Sequence, residues 1–76
     1  MKTAPAKRPV YWSGDPGEKD DFQFPIKDEF IDGKTQMGPW AIMTPATYRI
    51  HGCGLGLGSG QRYKKQADGR WLKVEG

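Results

Sequence analysis

Apolar residues in this chain come in short bursts separated by glycine, proline and charge, and no burst is long enough for a long helix. Up to residue 21 there is almost no pattern: Pro5, Pro9, Gly14, Pro16 and Gly17 interrupt any regular element, and Glu18-Lys19-Asp20-Asp21 is a run of solvated charge. Residues 1–21 therefore read as a flexible N-terminal arm, with Tyr11 and Trp12 either docking it on the domain or offering a partner contact. From Phe22 the chain changes character. Phe22, Phe24 and Ile26 alternate, and Phe30-Ile31 precede Asp32-Gly33, a pair that tolerates the positive φ of a tight turn. This predicts a hairpin at about 29–37, followed by a short buried segment at Trp40-Ala41-Ile42-Met43. Residues 44–52 predict a short helix, with Thr44 as cap, Pro45 in the first position and Gly52 in a left-handed closing conformation.

Glycine then occupies every second position from Gly52 to Gly60. Beyond it, residues 61–66 and 71–74 flank Ala67-Asp68-Gly69-Arg70, which predicts a second hairpin. Leu72 and Val74 fall on one face of its last strand, Trp71 and Lys73 on the other. No repeat or heptad appears. The pattern is that of a small α+β domain over residues 22–76, with two β-hairpins, one short helix and a glycine loop.

Length sharpens this picture. At 76 residues the chain holds one domain, and a domain this small buries only about 60% of the surface its unfolded chain exposes. Nine aromatic residues carry much of the apolar content, so the core rests on a few large anchors. Trp40, between the first hairpin and the helix, is expected among them. The single cysteine, Cys53, cannot form an internal disulfide, which fits a cytoplasmic setting. No apolar run approaches the roughly 20 residues that span a bilayer, so no membrane contact is expected.

The charge is unevenly spread. Residues 1–33 hold five Lys/Arg against seven Asp/Glu, and residues 34–76 hold seven against two. Arg62, Tyr63, Lys64, Lys65, Arg70, Trp71 and Lys73 form a ribbon of cations and aromatics on the second hairpin, the candidate partner-binding surface. Cations meet phosphates or acidic side chains, and flat rings stack on bases or anchor protein interfaces. A solvated strand with core aromatics is the competing reading of the same residues.

Catalysis finds no foothold in the sequence. The glycine loop lacks the Lys-Ser/Thr that follows a P-loop and the spacing of a dinucleotide fingerprint. The lone imidazole, His51, has no placed nucleophile or orienting carboxylate, and its neighbour Cys53 reads as a small residue of a glycine-rich turn rather than a reactive thiol. Paired-carboxylate chemistry would need the acids of residues 15–32 rigidly held. No enzyme activity, cofactor, metal or small-molecule substrate is expected.

Residues 32–63, from Asp32-Gly33-Lys34-Thr35 through Pro39-Trp40 and Thr44-Pro45-Ala46-Thr47 to Gln61-Arg62-Tyr63, resemble short phage and prophage proteins of zinc-ribbon type. The resemblance implies a Cys-Pro-x-Cys knuckle at the place of Thr44-Pro45-Ala46-Thr47 and a second cysteine pair before Pro25-Ile26. Here threonines stand in the knuckle, and residues 20–24 contain no cysteine. Neutral hydroxyls do not replace thiolates on zinc, so the resemblance implies a zinc-ribbon-like fold without zinc. It further implies a phage-type accessory protein, acting in the host cytoplasm on a protein or nucleoprotein complex that handles nucleic acid, as anti-CRISPR proteins do. Direct nucleic-acid binding by the same ribbon and a small structural role in a virion are the alternatives.

Overall fold

A computed structural model describes residues 8–76. Four strands, β1 (Glu29–Lys34), β2 (Trp40–Met43), β3 (Gly60–Lys65) and β4 (Trp71–Glu75), form one antiparallel sheet in the order β2-β1-β3-β4. Among the described residues there is one helix, α1 (Pro45–His51), which lies between β2 and β3 in sequence. The domain is thus α+β, and its two hairpins are joined edge to edge by the pairing of β1 with β3. Among the described residues no helix is long and apolar enough to cross a membrane.

Strand alternation splits the core between the two faces of this sheet. On the first face Phe30 sits opposite Tyr63, with rings stacked at 5.1 Å. Trp12 meets both edge-on, at 5.2 and 5.3 Å, and Trp71 meets Phe30 at 5.1 Å. On the second face Ile31 sits opposite Met43, both fully buried, beside a helix that buries Thr47. Phe30 and Ile31 are neighbours in sequence, so one dipeptide supplies an anchor to each face.

The first hairpin turns later than its sequence predicts. Asp32 and Gly33 lie inside β1, and the reversal falls at residues 35–39. There the Thr35 N–H and hydroxyl both donate to the Pro39 carbonyl, the Gly38 N–H donates to Thr35, and Gly38 takes φ +109°. Gly33 serves close approach instead of turning: a Cβ on it would lie 3.0 Å from the Ser59 carbonyl and 3.2 Å from Gly60 Cα. The second hairpin agrees with expectation, with residues 66–70 between β3 and β4 and Gly69 at φ +88°. A register shift beside Arg62 and Tyr63 marks a bulge in this pair.

The helix begins as predicted. Thr44 and Thr47 form a reciprocal capping box with Pro45 in the first turn. Its end differs, because Gly52 is extended (φ −77°) rather than left-handed. A side chain there would run into the Tyr48 ring, so glycine is required for space. Trp40 is not core. It is 47% exposed at the start of the edge strand β2, while Phe30 and Met43 take the buried positions.

The segment before β1 is tied to the domain. Tyr11 bridges Leu72, Trp12 N–H donates to the Trp71 carbonyl, and Lys73 N–H donates to Val10. Residues 20–24 make a tight turn, closed by the Asp20 N–H on the Phe24 carbonyl, with Gln23 at φ +73°. Of the expected loose arm, residues 1–7 lie outside the described residues. Tyr11 and Trp12 dock, and Asp20 is only 2% exposed.

Candidate interaction surface

Strand alternation separates the seven residues of the predicted ribbon. Tyr63 is buried in the aromatic cluster, and burial, with Asp32 adding to it, pushes its hydroxyl up from the ordinary tyrosine range. Arg62 lies on the opposite face and is largely neutralised. Its Nη1 donates to Glu29 at 3.0 Å, and its Nε approaches Glu75 at 3.3 Å without hydrogen-bond alignment. Lys64 shares that face, exposed, opposite Glu29 and Leu72. Lys65, Trp71 and Lys73 belong to the aromatic face, where Lys73 sits opposite Tyr63.

Arg70, in the turn, is committed locally. It donates to the Asp68 carboxylate from both its backbone N–H and Nε, each at 2.9 Å, and its guanidinium lies 4.0 Å from the Tyr11 ring centroid. Those two bonds hold Asp68 below the usual carboxylate range, and Asp68 in turn raises Arg70. Lys65 is held more loosely, with Nζ 5.7 Å from the Trp71 ring centroid.

What the fold does bring together is a groove of about 820 Å³ between the β3–β4 turn and the N-terminal segment. Trp12, Trp71 and Ile26 give it apolar surface, Lys27, Lys65 and Arg70 give it cations, and Asp15 and Glu18 give it carboxylates. Lys65, Arg70 and Trp71 belong to the predicted ribbon. Trp12, Asp15 and Glu18 come from the segment whose only signal in sequence is the Tyr11-Trp12 pair, set among prolines, glycines and charge, and Lys27 follows the Phe22, Phe24, Ile26 alternation.

Elsewhere the candidate chemistry is used structurally. His51 stacks on Phe22 with ring centroids 4.1 Å apart and planes nearly parallel, and Cys53 is exposed. The Asp20 carboxylate accepts four hydrogen bonds of 2.8–2.9 Å: the N–H groups of Phe22 and Phe24 on Oδ1, and the Thr44 N–H and Thr47 hydroxyl on Oδ2. Burial pushes this carboxyl up, but those four donors outweigh it and hold it below the usual range. Asp20 thereby fastens the turn at 20–24 to the helix start at 44–47. Among the described residues no group of three His, Cys, Asp or Glu side chains is placed to hold a metal.

Comparison of the chain with protein-family profiles, with curated proteins and with solved structures finds no match in any of the three.

Proposed function

We propose that this protein is a non-enzymatic binding protein that docks on a macromolecular partner through the groove between its N-terminal segment and its second hairpin. The observation that carries this reading is the grouping of two indoles with Arg70 in one open groove, since tryptophan and arginine side chains gathered in a concavity are what protein interfaces use as anchors. The choice of a host nucleic-acid-handling complex as the partner, and of a phage-type inhibitor or modulator as the role, follows from the resemblance of residues 32–63.

Capture from a host lysate with the full chain as bait tests the reading, with and without nuclease, beside a Lys27→Glu/Lys65→Glu variant. The expected outcome is a protein partner retained after nuclease and lost from the variant. Capture that disappears on nuclease treatment points to direct nucleic-acid binding, and capture unaffected by the two charge reversals removes the groove from the contact.

A further inference from the structure

We infer that the groove accepts an extended polypeptide segment of mixed charge rather than a nucleic-acid strand, an assignment that rests on the docking reading above. The argument starts from which charges are free. The charge of Arg70 is balanced by Asp68, which accepts from its Nε, and its guanidinium lies over the Tyr11 ring. Among the described residues Lys27 and Lys65 form no ion pair, and neither do Asp15 and Glu18. Lys65 rests on Trp71 at a distance where the cation–π attraction is weak, so an incoming carboxylate can draw it away cheaply. The groove therefore offers two cations and two anions, together with the apolar surface of Trp12, Trp71 and Ile26.

A phosphodiester strand carries one negative charge per nucleotide and gains its affinity from consecutive cations. Laid in this groove it would face Asp15 and Glu18 as well as Lys27 and Lys65, and the net attraction would cancel. An extended peptide distributes charge differently, because successive side chains point to opposite sides. An acidic residue can meet Lys65 on the hairpin wall while its basic neighbour meets Asp15 and Glu18 on the facing wall, and an apolar residue covers the indoles. Uniformly charged ligands of either sign are rejected by one of the two pairs, which is how like-charge repulsion produces specificity.

Four labelled probes titrated against the full chain test this: a short peptide alternating Glu and Lys about a central Leu, all-Glu and all-Lys versions of it, and an oligothymidylate matching the all-Glu charge. The alternating peptide is expected to bind at least about tenfold more tightly than the other three. Lys65→Glu should weaken it about tenfold and strengthen the all-Lys peptide, while Lys64→Glu, on the opposite face, changes neither. Equal or tighter binding of oligothymidylate or all-Glu peptide overturns the assignment, as does a Lys65→Glu variant with unchanged preferences. If no probe binds, the mixed-charge peptide is the wrong occupant. The docking reading falls separately, and only if the Lys27→Glu/Lys65→Glu protein still captures the partner.

Discussion

Asp20 shows how much one side chain can organise in a domain this small. Its two oxygens accept from donors on two separate segments, and among the described residues it forms no ion pair. Removing the carboxylate strands buried donors at about 1–3 kcal/mol each, against the roughly 5 kcal/mol total such a domain has. Asp20→Ala should therefore be largely unfolded at room temperature by circular dichroism. Asp20→Asn keeps one acceptor oxygen and should fold, destabilised by about 2–3 kcal/mol in urea.

The pH dependence separates two acids of opposite sign. A carboxyl held low in the fold adds stability above its unfolded pKa of about 3.9, and that stability drains as pH falls through the lower folded value. Asp20 belongs to this class. Asp32 is the reverse: burial, with Asp21 adding to it, raises its pKa. Its protonation stabilises the fold as pH falls from the raised folded value towards 3.9. Urea midpoints measured from pH 7 down to 2 should thus drop less at the acid end for Asp20→Asn, whereas Asp32→Asn should lose the gain above 3.9.

Elements explain why some readings of the sequence succeed. The helix start and the second hairpin were legible because their signals are local: Thr44-Pro45 and Asp68-Gly69 act on backbone within a few residues. The first hairpin was misread because Asp32-Gly33 carries a turn signal that a distant neighbour overrides. Gly33 is needed bare where β1 crosses Gly60 and Ser59, contacts that no local window contains. Trp40 was misplaced for a related reason, since its size marks it as core while its place on an edge strand leaves it half in water. Phe30→Ala should cost about 3–5 kcal/mol and unfold the domain. Trp40→Ala should cost about 1 kcal/mol and leave a cooperative thermal transition. The site was legible only in part. Lys65, Arg70 and Trp71 could be named, but alternation hid Tyr63 and turned Arg62 towards Glu29, and the facing wall belongs to a segment with little pattern to read.

At the scale of the molecule, both outer strands are closed by residues that precede the sheet in sequence. Val10 and Trp12 hydrogen-bond β4, and Asp21 closes β2, with its N–H donating to the Ile42 carbonyl and its carboxylate accepting the Ile42 N–H at 2.7 Å. Unpaired edges are templates for strand addition between chains. Deleting residues 1–12 uncovers the β4 edge and the Trp12 side of the aromatic cluster together. The truncated chain is expected to self-associate, seen as a concentration-dependent sedimentation coefficient that the full chain lacks.

That same closure constrains the order in which the protein comes into being. Tyr11 is among the first described residues to leave the ribosome, yet its partner Leu72 is among the last. Until the final strand is released, Trp12 has no Trp71 carbonyl to donate to, and the aromatic cluster lacks one wall. Contacts this distant in sequence slow folding, because the loop between them must close before they contribute. The domain should therefore complete its fold only once β4 has left the ribosome. Ribosome-bound chains stalled with Gly69 as the last residue should be digested by protease in the segment from Val10 to Gly17, a segment that released protein protects.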